Sequence, residues 1–93
     1  MTVDTQQAPN LDLYVAGNTV NSHRAKRNLE SLLQKLDTPY TVNVIDVLQT
    51  PDRAMKNSIF TTPALILTVG MKRVLFVGDL NDANAVLSAL HTR

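Results

Sequence analysis

Between Leu11 and Val47 the apolar pattern changes period twice, across very short connections. Leu11, Leu13 and Val15 alternate with Asp12 and Tyr14, the two-residue period of a strand. Val20, Ala25, Leu29, Leu32, Leu33 and Leu36 then follow the spacing of a helix that buries one stripe. Tyr40 to Val47, YTVNVIDV, returns to a β-branched strand pattern. A strand, a helix and a strand joined this closely imply a right-handed parallel βαβ unit.

The punctuation agrees with that unit. Gly17 makes the first turn, and Thr19 is the expected N-cap with Val20 as the first helical residue. Asp37-Thr38-Pro39 stops the helix. Thr50-Pro51 opens a second, short helix, because proline is tolerated at the first helical position. Thr61-Thr62-Pro63 ends it. ALILTV and RVLFV, separated by a turn at Gly70-Met71, read as an antiparallel hairpin. Asn81 is the expected cap of a last helix with Ala83, Val86, Leu87 and Leu90 on its inner stripe. Residues 1–10 are polar, contain Pro9 and lack periodicity, so they read as a flexible tail before a single domain over 11–93.

The order β-α-β-α-β-β-α, a parallel pair followed by a hairpin with helices on both faces, is a thioredoxin-like arrangement around a mixed four-stranded sheet. That fold places a cis-proline before its third strand, which marks Pro63 as the candidate.

Composition narrows the chemistry. The 93 residues contain no cysteine, which excludes disulfides, thiol redox chemistry and thiolate metal sites. His23 and His91 stand near opposite ends of the chain, too little for a zinc site, so neither a metal nor a cofactor is expected. A net charge of +1 argues against a nucleic-acid binder. No apolar run approaches a membrane span, and the N-terminus MTVDTQQAPN is unlike a secretion signal, so the expected location is cytoplasmic.

The loop after the first strand is where thioredoxins keep their Cys-x-x-Cys. Here it holds Asn18-Thr19-Val20-Asn21, which cannot donate electrons. A helix N-terminus also attracts anions, and Arg24, Lys26 and Arg27 lie just inside, but Gly17 alone matches neither Gly-rich phosphate fingerprint. A tight turn with a capped helix is the simpler reading. Asp46 is a candidate base only in isolation, because no nucleophile or second carboxylate completes a constellation; such an aspartate more often binds backbone N–H groups. No catalytic residue is assigned, and an enzyme is not expected. The polar helix face of Arg24, Arg27 and Lys35 is either solvated or a binding surface. Tyr40, Thr41 and Asn43 mark a strand expected at a sheet edge, where another chain can add a strand.

Four ordered blocks resemble the KaiB circadian-clock family: Leu13-Tyr14-Val15-Ala16-Gly17-Asn18-Thr19 with Asn21-Ser22 and Arg24-Ala25, then Val44-Ile45-Asp46-Val47-Leu48 with Pro51, then Thr62-Pro63-Ala64-Leu65, then Gly78-Asp79-Leu80. The resemblance runs over roughly residues 11 to 91. It implies a non-enzymatic partner of the KaiC hexameric ATPase ring that also sequesters KaiA. It further implies a metamorphic chain, with a tetrameric ground state of its own fold, βαββααβ, and a thioredoxin-like state that binds KaiC. A homo-oligomer and the ground-state fold are therefore the alternatives to weigh against a thioredoxin-like chain.

The family's ring-facing helix and strand correspond to Arg24, Thr41 and Asn43, with Lys72 and Arg73 as further partner-binding candidates. Gly17, Thr19, Pro63, Gly78 and Asp79 are expected to be structural. Position 43 is often lysine in the family. Where the family commonly has a proline-rich segment, this chain has Leu67-Thr68-Val69-Gly70-Met71-Lys72, which favours a hairpin. Ala89 and His91 replace a glycine and an aspartate of cyanobacterial clock members. The alanine favours helix by about 1 kcal/mol, and the histidine suits a helix C-terminus. The hairpin segment, Ala89 and His91 each favour the thioredoxin-like state, whereas Asn43 bears on the affinity for KaiC. The leading function is thus a regulator of a KaiC-like ATPase. The alternatives are a thioredoxin-like signalling domain of histidine-kinase-sensor type and a stress-response adaptor without an oscillator.

Overall fold

A computed structural model describes residues 8–36 and 39–91, apart from the side chains of Ala83 and His91. Along the chain run β1 (Asn10–Val15), α1 (Val20–Leu33), β2 (Thr41–Asp46), α2 (Pro51–Lys56), β3 (Ala64–Val69), β4 (Lys72–Val77) and α3 (Ala83–His91). The strands lie in the order β2-β1-β3-β4. β1 runs parallel to β2 and antiparallel to β3, and β3 and β4 form a hairpin. This is the βαβαββα arrangement of a thioredoxin-like α/β fold, with a mixed four-stranded sheet.

β1 is central, which is why Tyr14 is buried as deeply as Leu11, Leu13 and Val15. Its alternation separates two covered faces. On one, Leu11, Leu13, Val15, Leu65 and Leu67 pack with Ala25, Leu29, Leu32 and Leu33 of α1 and Val86 of α3. On the other, Tyr14, Ile45, Ala64 and Ile66 pack with Ala54 of α2 and with Ile59. A six-residue helix is about 9 Å long, so α2 covers the middle of its face and leaves the outer strand open. Leu75 and Val77 of β4 are accordingly 51% and 62% exposed.

Three local expectations need correction. Val20 was expected on the buried stripe but is 67% exposed. The stripe begins instead at Ser22, and two residues at about 100° each turn Val20 to the opposite side of the helix. The N-cap of α3 is Asp82 and not Asn81: Asp82 Oδ1 accepts from the Ala85 N–H at 3.3 Å, while the Asn81 N–H donates to Asp79 Oδ1. Asp82 directly precedes the first helical residue and adds a negative charge at the positive end of the dipole. α1 closes at Leu33, before the expected stop, of which Asp37 and Thr38 lie outside the described residues. Its end tightens, with the Lys35 and Leu36 N–H groups donating to Leu32 and Leu33, which returns Leu36 to the core.

Of the expected tail, residues 1–7 lie outside the described residues. Asn10 already pairs with Thr41, and the Pro9 carbonyl accepts from the Thr41 N–H at 2.9 Å. Among the described residues no helix is long and apolar enough to cross a membrane.

Candidate partner-binding surface

The turn from β1 into α1 is closed by its own side chains. Gly17 has φ +59, a left-handed conformation open to a residue without Cβ. Thr19 is extended (φ −63, ψ 156), and its hydroxyl oxygen accepts from the Ser22 N–H at 3.3 Å, the cap of α1. The Thr19 hydroxyl donates to Ser22 Oγ at 2.8 Å, and the same oxygen accepts from the Ala16 N–H at 3.1 Å. From the neighbouring strand end, Asp46 Oδ1 accepts from the Gly17 N–H at 3.2 Å and the Leu48 N–H at 3.0 Å. Asp46 therefore binds the β1–α1 and β2–α2 loops together. The position that would carry thiols in a redox protein is built here as a cross-linked turn.

A second network lies beneath and beyond α2. Asn57 Nδ2 donates to the Tyr14 hydroxyl at 3.0 Å and to the Arg53 carbonyl at 2.9 Å, while its Oδ1 accepts from Arg73 Nη2 at 3.2 Å. Buried Tyr14 thereby keeps a polar partner, as a phenol in an apolar cluster requires. Asn28 Nδ2 of α1 donates to the Asp79 carbonyl at 2.7 Å, tying the β4–α3 loop to α1. The Thr62–Pro63 bond is cis, Pro63 is buried, and its carbonyl accepts from the Gly78 N–H at 2.9 Å. Leu80 has φ +63 with its side chain in the core. A shallow depression between β4 and α3 is lined by Phe76, Gly78, Asp79, Asp82 and Val86. Both its carboxylates already accept backbone N–H groups.

The five residues expected at a partner surface fall into separate places. Thr41 and Asn43 are exposed on edge strand β2, on the face of Asp12 and Tyr14, and Asn43 Nδ2 donates to Asp12 Oδ1 at 2.9 Å. Arg24 is exposed on α1, outside its buried stripe. Lys72 and Arg73 begin β4, the opposite edge of the sheet, with two strands between them and β2. Three strand spacings of about 4.8 Å put roughly 14 Å between the two edges. Arg24 thus lies on the α1 side of the sheet and Thr41 and Asn43 on its opposite face at the β2 edge, while Lys72 and Arg73 stand at the far edge.

Among the described residues the β2 edge is open to pairing. The Thr41 and Val47 N–H groups donate to the Pro9 and Val15 carbonyls on the β1 side. By the alternation of a parallel ladder, Val42 and Val44 turn their backbone groups outward. Val44 is an exposed hydrophobic residue there.

The model of the KaiB domain matches residues 12–92. This chain belongs to the KaiB family. It is 43% identical over 83 residues to a circadian clock oscillator protein KaiB of Nostoc punctiforme, covering 86% of this chain and 78% of that one. To the Synechococcus elongatus protein of the same name it is 42% identical over 83 residues, covering 86% and 79%. Among solved structures, the N-terminal domain of Synechococcus elongatus SasA superposes with a TM-score of 0.74 at 24% identity, covering 94% of this chain and 90% of that one. A Fasciola hepatica thioredoxin superposes with a TM-score of 0.75 at 16% identity, covering 97% and 88%. At such identities the structural likeness shows the fold alone.

The match contains every strand and helix of this KaiB-family chain except the first two residues of β1. KaiB homologues support a clock-regulatory role and so an interaction with clock proteins. Ala89 is half-buried on α3 against the main core, and His91 ends that helix with its side chain outside the described residues. Reading the sequence missed Ser22 and Asn57 as organising residues. Thr19-x-x-Ser22 lacks the Glu or Gln of a capping box, and nothing local announces that Asn57 meets Tyr14.

Proposed function

We propose that this KaiB-family chain is a non-enzymatic regulator that docks on a KaiC-like hexameric ATPase ring through the β2 edge and the polar face of α1. Family membership over residues 12–92 is the observation that carries the reading. The open backbone of Val42 and Val44, with Thr41 and Asn43 exposed beside them, supports it physically, because an unpaired edge supplies main-chain hydrogen bonds to a partner. Arg24 contributes a charge without disturbing the core, since its side chain is exposed. The thiol position holds a structural turn, in keeping with binding and not catalysis. Sequestration of a KaiA-like protein is a further outcome of the same surface, and the compartment is the cytoplasm.

The test is co-elution with the N-terminal ring of a KaiC protein. Arg24→Glu is expected to weaken co-elution by about tenfold, the scale of one interfacial charge contact, with an unchanged circular dichroism spectrum. Co-elution unaffected by Arg24→Glu refutes this surface. Absence of any ring binding by the parent chain favours the second reading, a thioredoxin-like signalling adaptor of histidine-kinase-sensor type. The SasA domain shares the fold of this chain, so that alternative requires no change of architecture.

A further inference from the structure

Among the described residues β4 is the second free edge, and its outward backbone groups can be assigned. Ala64 stands opposite Val77, and the Gly78 N–H donates to the Pro63 carbonyl one residue outside that pair. This is the signature of a non-hydrogen-bonded antiparallel pair. The ladder continues without a slip to Val69 opposite Lys72, so Ile66–Leu75 and Thr68–Arg73 are non-hydrogen-bonded pairs as well. Arg73, Leu75 and Val77 therefore direct their N–H and C=O groups away from β3. These residues also face the side of the sheet that α2 is too short to cover, and Leu75 and Val77 are exposed apolar residues there.

Natural sheets guard a free edge with proline, a bulge, a central charge or a covering element. β4, KRVLFV, has its charges only at the start, and its last four residues are apolar. Such an edge suits another strand, and the pattern is self-complementary.

We propose that β4 pairs antiparallel with β4 of a second copy, about a two-fold axis at Leu75, to form one sheet continuous across both copies. In this register Leu75 meets the second copy's Leu75 and Arg73 meets its Val77. Every outward N–H of Arg73, Leu75 and Val77 then finds an outward C=O. Val74 and Phe76, half-buried on the α1 side, become cross-strand partners, a favourable β-branched–aromatic pair. A two-fold axis normal to the sheet keeps each face on its own side, so opposed residues must share a face. Strand length and charge select among the registers that satisfy this: an axis at Phe76 sets Arg73 against Asp79, beyond the end of β4, and charge disfavours the shift the other way. With Leu75 at the centre, the two Arg73 residues stand four residues apart, about 13 Å, beyond the screening length of about 8 Å. Shifting the axis to Val74 brings them two residues apart, about 7 Å, where they repel. The β2 edge and α1 stay free in this dimer, so it is independent of ring docking.

Sedimentation of the parent chain alone, over about a hundredfold range of concentration, is expected to show a monomer giving way to a dimer. Leu75→Lys, which sets two ammonium groups against each other at a half-exposed position, is expected to remain monomeric with an unchanged circular dichroism spectrum. A gain of signal guards against a folding artefact. Opposed Cα atoms of a hydrogen-bonded pair lie about 5.5 Å apart, within reach of a disulfide, and the chain has no other thiol. Leu75→Cys is expected to form a disulfide-linked dimer under mild oxidation, and Arg73→Cys to remain largely unlinked. A parent chain that stays monomeric throughout, or an Arg73→Cys chain that links as fast as Leu75→Cys, overturns the proposal.

Discussion

Ser22→Ala isolates the role of the β1–α1 turn. Ser22 is 0% exposed, and its Oγ accepts both the Ala16 N–H at 3.1 Å and the Thr19 hydroxyl at 2.8 Å. Removing Oγ leaves the Ala16 amide without a partner, which costs about 1–3 kcal/mol when the group is shielded from water. The exposed Thr19 hydroxyl turns to solvent and adds little. Alanine is the better helix former, which returns about 0.5 kcal/mol. The expected net loss is therefore about 1–2 kcal/mol, a large share of the stability of a small domain. In urea unfolding this lowers the midpoint by about 1 M at an unchanged slope. Hydrogen exchange at the Ala16 amide should accelerate by about tenfold, the same free energy read locally. A midpoint within error of the parent chain, with Ala16 exchange unchanged, would refute the reasoning and reduce Ser22 to a space-filler.

Two further substitutions probe neighbouring features. Gly17→Ala places a Cβ in the left-handed region and 3.2 Å from Leu48 Cδ1. Leu48 is 71% exposed and can swing aside, so the backbone term of about 1–2 kcal/mol dominates; thermal unfolding measures it, and Gly17→Asn should lose less. Ala89→Gly should destabilise α3 by about 1 kcal/mol and lower its helicity by circular dichroism, because Ala89 lies within the helix and packs on the main core.

The legibility of the chain follows the range of the interactions involved. Local signals were explicit: the cap at Thr19, the proline opening α2 and the hairpin turn at Gly70-Met71 depend on neighbours within one turn of chain. The Val20 and Asn81 errors came from the same scale, where a shift of one or two residues reverses a helix face or moves a cap. The candidate surface was half legible. Residues such as Thr41 and Asn43 could be placed on one edge, whereas separating Lys72 and Arg73 from them required knowing that β3 and β4 continue the sheet on the far side of β1.

Periodicity and turn chemistry determined the order of elements, the lack of cysteine emptied the thiol position, and the resemblance of four short blocks pointed to the family. Strand order belonged to the tertiary structure, because it depends on which apolar faces meet. So did the Asp46 bridge between two loops, the Asn57 link from Tyr14 to Arg73 and the outward direction of the β4 backbone. These join residues distant in sequence, or depend on hydrogen-bond parity across a ladder. A linear pattern specifies which side of its own element a residue faces, but only the assembled sheet specifies what waits on that side.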